Sequence, residues 1–343
     1  MYIGCTSSVG AITVAFEAID NAIDQFLSKQ ATKVSVTVED NRIVISDDGA
    51  GYPFDLYDEN GDSLGTHYLT TLHNKNTADD HTPHIHCMTI GVGLFCLNAV
   101  TERLTVSSWR NGSLWRQDFS RGVALNAADV VQSGTGRGTT VDFILDTQIF
   151  QGLGSNLRGL RLDLDRLAEQ LKLRAYIFPG LKILFQGNEY MYRDGMADLI
   201  RERIAQPISR SRIAVSDAWM DRPVFYMRYD CNDFQMQAAA FGETVDKTEW
   251  LAFANGACSL EEGTHCMAFK QALARRVHWR PSIAAISVVM NNPEFSGPTK
   301  TRLDIPSMKN AFVEAISPNL KEYCLKNRLG MYRNERTQRS TDA

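Results

Sequence analysis

The chain has 343 residues, of which 44% are hydrophobic and 22% are charged, and its 36 basic and 40 acidic side chains give a net charge of −4. This composition is typical of globular domains and excludes disorder along the whole chain. The charge excludes a basic field over the entire surface, although it is compatible with a local basic groove. The sequence contains neither an 18-residue apolar run nor a basic N-terminus followed by an apolar segment, so we predict no membrane span and no secretion signal.

The cysteines also indicate a cellular compartment. They are odd in number, scattered, and without CxxC spacing, which predicts reduced thiols and a cytoplasmic protein. The seven positions are Cys5, Cys87, Cys96, Cys231, Cys258, Cys266 and Cys324.

The first predicted element is an amphipathic helix over residues 9–27. Its apolar side chains recur at steps of three and four residues, as one face of a helix requires. A second face carries Glu17, Asp20, Asn21 and Asp24. Three neighbouring carboxylates repel one another unless water or a cation screens them, so this face is either solvated or a ligand site.

Two strands follow, over residues 33–38 and 42–46, joined by a turn at Asp40 and Asn41. The second strand runs into the sequence Asp-Asp-Gly-Ala-Gly-Tyr-Pro at residues 47–53. Two glycines and a proline after two aspartates predict a tight turn whose backbone can lie close to a ligand.

Residues 65–90 are rich in His, Asn, Asp and Thr and predict a long mobile segment. It leads into Gly91-Val92-Gly93 and a helix over residues 94–100, an arrangement that can bind phosphate oxygens through free backbone N–H groups. Beyond it we predict a hairpin of residues 104–109 and 114–119 around the Asn111–Gly112 turn, then a strand over 141–145.

The second half of the chain predicts helices over residues 197–205 and 264–277 and strands over 226–228, 236–241 and 283–290. A long polar loop over residues 291–303 follows the last strand and carries Lys300. Residues 331–343 lack periodicity and are predicted to form a flexible tail.

Taken in order, seven segments resemble motifs of the GHKL ATPases, and within them the ATPase region of DNA gyrase B and its topoisomerase IV counterpart. The segments are residues 17–24, 47–53, 91–99, 115–117, 138–141, 262–265 and 299–301. The resemblance implies an α/β (α+β) sandwich of the Bergerat type over residues 1–195 and a ribosomal-S5-like transducer domain over residues 196–330. It also implies a left-handed βαβ crossover in the second domain, whereas the general expectation is a right-handed one.

The resemblance implies ATP and Mg²⁺ as cofactors and assigns roles on the first helix. Glu17 matches the general base that deprotonates the attacking water, and Asn21 matches the residue that coordinates Mg²⁺ on the phosphates. Asp24 belongs to the same nucleotide-binding motif. Lys300 matches the transducer lysine that contacts the γ-phosphate. Phosphoryl transfer needs positioning, a cation and charge stabilisation, which these residue types supply.

Further matches describe an adenine pocket. Asp47 matches the acceptor of a hydrogen bond from the adenine amino group, and Thr139 matches its water-linked neighbour. Gly51 and Pro53 belong to the turn that the adenine approaches. Arg116 matches a position that contacts aminocoumarin-type inhibitors, although an exposed hairpin arginine without a ligand explains it equally well. Gly91, Val92 and Gly93 match the lid segment that binds the phosphates.

The sequence departs from the family pattern at four places. Ala50 replaces an arginine that pairs with a nearby acid, and Pro298 replaces a glutamine of the lysine loop. Residues 75–77 and 87–90 lack the lid glycines, and the sequence begins at Met1, whereas the family has a preceding arm that embraces a partner protomer. We therefore expect a different lid and a less secure ATP-driven homodimer.

Five histidines fall on or beside the predicted lid: His67, His73, His81, His84 and His86. Their spacing matches no standard zinc site, so we do not predict a metal there; they could instead contact phosphate or a second substrate. The chain also lacks a TOPRIM segment and a tyrosine-bearing cleavage domain, so we expect no DNA cleavage by it. We favour a standalone relative over a fragment.

Three functions remain open. The first is Mg²⁺-dependent ATP hydrolysis. The second is a phosphotransferase that moves the γ-phosphate to a small-molecule hydroxyl. The third is a non-catalytic protein that binds nucleotide or gyrase inhibitors. The sequence identifies no acceptor, and it leaves direct DNA binding open.

Overall fold

The computed structural model describes residues 4–72, 93–150, 162–206, 215–216, 219–297 and 301–329. The chain divides into two compact units. The first contains residues 1–175 and 180–191, and the second contains residues 176–179 and 192–343. None of the helices within the described ranges is long and apolar enough to cross a bilayer.

The first unit is built on a nine-stranded sheet with the order β5-β4-β3-β7-β2-β1-β8-β9, in which β6 also pairs with β4. The strands are β1 (Lys33–Glu39), β2 (Arg42–Asp47), β3 (Thr101–Arg110), β4 (Ser113–Ser120), β5 (Val123–Ala124), β6 (Asp129–Ser133), β7 (Gly138–Leu145), β8 (Lys182–Phe185) and β9 (Asn188–Tyr190). Every pairing is antiparallel except that of β1 with β8.

The helices that begin in this unit are α1 (Ser8–Leu27), α2 (Leu64–Thr70), α3 (Gly93–Ala99) and α4 (Leu164–Ile177). Helix α1 packs its apolar face on β1, β2 and β7, and Ile12, Ile19 and Ile23 are at most 1% exposed. Ser7 caps the helix by accepting a hydrogen bond from the Val9 N–H. The predicted first helix, the first two strands and the Asn111–Gly112 hairpin are confirmed.

The expected mobile segment over residues 65–90 is wrong at its start, because residues 64–70 form α2. Ser63 caps this helix, and Leu69 is fully buried. Gly65 packs against Phe54, where an added Cβ would lie 2.6 Å from the ring. Burial and capping thus stabilise a segment whose composition is that of a loop.

The second unit contains a five-stranded sheet with the order β10-β11-β14-β12-β13, in which only β12 and β14 are parallel. Its strands are β10 (Phe225–Asp230), β11 (Phe234–Phe241), β12 (Glu249–Ala254), β13 (Ala257–Cys258) and β14 (Ile283–Met290). All eight residues of β14 are buried, as expected for a central strand that is covered on both faces.

The helices of the second unit are α5 (Met196–Ala205), α6 (Thr264–Ala272) and α7 (Lys309–Asn327). A π-helical turn, Leu273–Val277, extends α6 to the end of the predicted helix, and His278 then adopts a left-handed conformation with φ of 52°. The predicted helix over 197–205 and the strand over 283–290 are confirmed, whereas α4 and α7 are not among the predicted elements.

Candidate active site in the first unit

The polar face of α1 lies beside the glycine-rich turn that follows β2. Glu17, Asp20 and Asn21 are half-buried, and Asp24 is 7% exposed. Gln25 connects the helix to the turn, because its Oε1 accepts a hydrogen bond of 3.2 Å from the Ala50 N–H. Since a helix rises about 1.5 Å per residue, Glu17 lies about 12 Å from Gln25 along the axis, with Asn21 midway between them.

Asp47, at the end of β2, is held by two backbone donors. Its Oδ1 accepts hydrogen bonds from the N–H of Gly49 at 2.8 Å and from the N–H of Thr139 at 3.3 Å. Burial raises the pKa of the Asp47 carboxyl to about 6, although these two hydrogen bonds act in the opposite direction. The site therefore contains a largely dehydrated carboxylate that is ionised above pH 6, and such a group is a strong acceptor for an N–H of a ligand.

Asp48, the next residue, is used differently. Its Oδ1 accepts from the Thr32 and Lys33 N–H groups at 2.7 and 2.9 Å, and its Oδ2 accepts from the Thr32 hydroxyl at 2.6 Å. Burial raises the pKa of Asp48, but these hydrogen bonds outweigh it and the pKa is lowered. Of the two adjacent aspartates, Asp48 ties the turn to β1 and Asp47 lies in the candidate site.

Two glycines allow neighbouring backbone segments to pack closely at this turn. At Gly138 the φ angle is +94° and an added Cβ would lie 1.9 Å from the Asp47 carbonyl oxygen. At Gly51 the φ angle is +88° and an added Cβ would lie 2.3 Å from the Trp109 carbonyl oxygen. Both positions therefore require glycine on conformational and steric grounds.

The turn is closed on its other side by Ser108 of β3. The Ser108 hydroxyl accepts a hydrogen bond of 2.5 Å from the Tyr52 N–H and donates one of 3.0 Å to the Tyr52 carbonyl. Pro53 continues the chain from this point, and its carbonyl accepts from the Gly65 N–H at 3.0 Å. The turn is thus held by side chains far apart in sequence.

Helix α3 packs against α1 near Glu17. Gly93 is its buried first residue, and Cys96 is half-buried one turn later. Burial raises the pKa of the Cys96 thiol, and the negative charge of Glu17 adds to this effect. The thiol and the carboxylate are therefore neighbours. Asn98 ties α3 to α2 by donating to the Leu69 carbonyl at 2.9 Å.

Arg116 on β4 is 43% exposed and forms an ion pair of 3.4 Å with Asp118. The adjacent Gln117 is 1% exposed and fixes the local structure, because it accepts from the Thr66 hydroxyl and donates to the Asn126 carbonyl. Both the inhibitor-contacting and the plain surface interpretation of Arg116 are compatible with this position.

Several predicted residues lie outside the described ranges, namely Gly91, Val92, Lys300, His73, His81, His84 and His86. Among the other predicted residues, Glu17, Asn21, Asp24, Asp47, Gly51, Pro53, Gly93 and Thr139 are described, and all belong to the first unit. Within the part of the chain that is described, His, Cys, Asp and Glu side chains form no group of three suited to a metal ion.

Sequence reasoning missed three residues that shape the site: Gln25, Ser108 and Arg174. The first two fix the turn, and Arg174 forms an ion pair with Asp20 of α1. Gln25 is neutral, and its side chain contacts the backbone of Ala50. At the position of Ala50 the family pattern has an arginine that pairs with an acid.

Comparison with known proteins shows what this chain is similar to. Residues 6–149 match the family model described as histidine kinase-, DNA gyrase B-, and HSP90-like ATPase. The chloroplastic/mitochondrial DNA gyrase B protein of Oryza sativa is 28% identical over 94% of this chain and 47% of its own length. The DNA gyrase B protein of Thermotoga maritima is also 28% identical, over 94% of this chain and 53% of its own length. The chain thus spans about half the length of these curated relatives.

A solved structure gives the same result for the fold. The 43K ATPase domain of Thermus thermophilus gyrase B, in complex with an aminocoumarin, superposes with a TM-score of 0.76 at 26% identity. The superposition covers 99% of this chain and 92% of that one. The predicted α/β fold and its resemblance to the gyrase B ATPase region are confirmed.

Proposed function

We propose that this protein binds ATP with Mg²⁺ and hydrolyses it, using Glu17 as the general base. The observation that supports this most directly is the linear order of groups beside α1. A half-buried acceptor, Asp47, lies at the turn next to Gln25, and Asn21 and Glu17 follow along the helix over about 12 Å. This order suits an elongated ligand with an amine at one end and a reacting phosphate at the other.

The residues present fit a nucleotide. Asp47 would accept a hydrogen bond from the adenine amino group, and Gly51 and Gly138 allow the backbone segments around this turn to pack closely against one another. Asn21 offers an amide oxygen, which is a suitable ligand for Mg²⁺. Bound Mg²⁺ and ATP would supply the phosphoryl group and neutralise its charge.

Glu17 would hold and deprotonate the attacking water. It is half-buried and one helical turn from Asn21, so a base and a metal ligand are neighbours on one face. The neighbouring Cys96 thiol stays protonated at neutral pH, since its pKa is raised, and so does not compete as a base. We further propose that Lys300 contacts the γ-phosphate, by analogy with the family.

Glu17→Gln tests the proposal, because it removes the base but keeps the shape of the side chain. We expect at least a 100-fold loss of turnover with nucleotide affinity unchanged, since general bases contribute about 10²- to 10⁴-fold. Glu39→Gln is the matched control, because Glu39 is 76% exposed on β1. Parental turnover by Glu17→Gln would refute the assignment of the base.

The same assay separates the three open functions if ADP and inorganic phosphate are measured independently, with calorimetry of ATP-analogue binding beside them. Equal ADP and phosphate indicate hydrolysis. ADP in excess of phosphate, in a screen of hydroxyl compounds, indicates transfer to an acceptor. Binding of nucleotide or an aminocoumarin without ADP formation indicates a non-catalytic protein.

A further inference from the structure

Helix α1, which carries Glu17, is tied to α4 at two points. Near its start, the Ser8 hydroxyl accepts a hydrogen bond of 3.0 Å from the N–H of Asp163, the residue before α4. Farther along, Asp20 accepts two hydrogen bonds from Arg174 of α4. Along the helix axis, Ser8 and Asp20 are about 18 Å apart on α1, and Asp163 and Arg174 are about 17 Å apart on α4. Because the two contacts occur in the same order and at nearly equal spacing, the two helices run in the same direction.

The Arg174–Asp20 contact has the geometry of a strong ion pair. Nε of Arg174 lies 3.0 Å from Oδ1 of Asp20, and Nη2 lies 3.2 Å from Oδ2. The two side chains are only 14% and 16% exposed. The guanidinium carbon also lies 4.8 Å from the centre of the Phe16 ring. A planar two-point contact that stacks on an aromatic ring allows little rotation of α1 about its axis.

The position of this pair bears directly on the candidate base. Asp20 is three residues after Glu17, so the two carboxylates are neighbours on one helix face. Without Arg174, a second negative charge would remain beside Glu17 in a partly buried site, where charges interact more strongly than in water.

We propose that Arg174 is a positioning residue for this site. Its guanidinium fixes the rotation of α1 and neutralises Asp20, and it thereby sets the position of Glu17 and the charge around it. This inference rests on the proposed role of Glu17 as the base. Arg174 contacts Asp20, and it acts on the site through this carboxylate.

The test compares Arg174→Met, Arg174→Lys and the double variant Arg174→Met with Asp20→Asn, in the full chain. Kcat, affinity for a non-hydrolysable ATP analogue and Tm are measured for each. The matched control is Arg42→Met, which removes another two-point arginine–carboxylate pair of the same unit, formed with Asp142 at 2.9 and 2.7 Å between β2 and β7.

We expect Arg174→Met to lower kcat about 10- to 100-fold with analogue affinity changed less than twofold, as for a displaced catalytic group. Arg174→Lys should retain an intermediate rate, because lysine keeps the charge but not the planar contact. The double variant should regain part of the lost rate, since it also removes the unpaired charge. A merely structural role would lower affinity and kcat together and would show no such recovery.

An Arg174→Met rate equal to that of Arg42→Met would overturn the inference. If Arg174→Met does not fold, a parental rate in Arg174→Lys overturns it instead. Failure of the proposed function gives a different result, because the parent and Glu17→Gln would then hydrolyse ATP at equal rates. In that case the inference about Arg174 would also be refuted.

Discussion

The close approach of Gly138 to the Asp47 turn predicts a large effect of Gly138→Ala. The substitution places an alanine at a φ of +94° and a Cβ 1.9 Å from the Asp47 carbonyl oxygen, where ordinary contact begins at 3.4 Å. The conformation costs about 1–2 kcal/mol. Separating the two backbone segments costs about 1–3 kcal/mol more, as for overpacked sites. We therefore expect the free energy of unfolding to fall by about 2–5 kcal/mol.

Gly180→Ala separates these two contributions. Gly180 has a φ of +91°, but an added Cβ would meet nothing within 4 Å. Its substitution should lower the free energy of unfolding by only the conformational part, about 1–2 kcal/mol. Thermal denaturation followed by calorimetry measures both variants, and a difference of 2 kcal/mol corresponds to about 4–8 °C in Tm. Equal losses in the two variants would refute the steric argument.

Three further substitutions give distinct results. Asp47→Asn should weaken ATP binding yet raise the free energy of unfolding by about 2–3 kcal/mol at pH 8 and by nearly nothing at pH 4. The reason is that burial raises the pKa of Asp47 in the folded protein to about 6, so the stability that the protonated carboxyl provides is lost as pH rises through 6. Urea denaturation at pH 4 and pH 8 measures the free energy of unfolding of both proteins. Tyr52→Phe should stabilise the fold by about 1 kcal/mol in the same assay, because the Tyr52 hydroxyl is buried without a hydrogen-bond partner within the described residues. Gln237→Leu should lower Tm, with a loss of about 2–4 kcal/mol, because it removes the partners of the Ile177 carbonyl and the Met196 N–H; an unchanged Tm would contradict the importance of these hydrogen bonds.

Local signals were sufficient for the elements nearest the site. The i, i+3, i+4 spacing of apolar residues in α1 and the Asn111–Gly112 turn depend on neighbours in sequence, so the sequence alone predicts them. The same periodicity exists in α4, where Leu167, Leu171 and Ala175 step by four and are fully buried. That helix was predictable and was missed.

The contacts that shape the site were not predictable in the same way. Ser108 closes the turn at Tyr52 from another strand, and Gly138 owes its constraint to the Asp47 carbonyl. Both depend on the pairing of β3 and β7 with their neighbours, which no spacing along the chain specifies. The resemblance to a known family, and not periodicity, placed Asp47 and Thr139 together.

The parallel pairing of β1 with β8 has a consequence for the way the protein is made. Val34 pairs with Ile183, which is synthesised much later. One edge of β1 therefore has no hydrogen-bonded neighbour until the ribosome has released most of the first unit. An unpaired strand edge readily joins a strand of another molecule, and distant pairings form slowly. A fragment ending at Ala175 would therefore be prone to aggregation, whereas one reaching Met191 contains the strands that cover this edge.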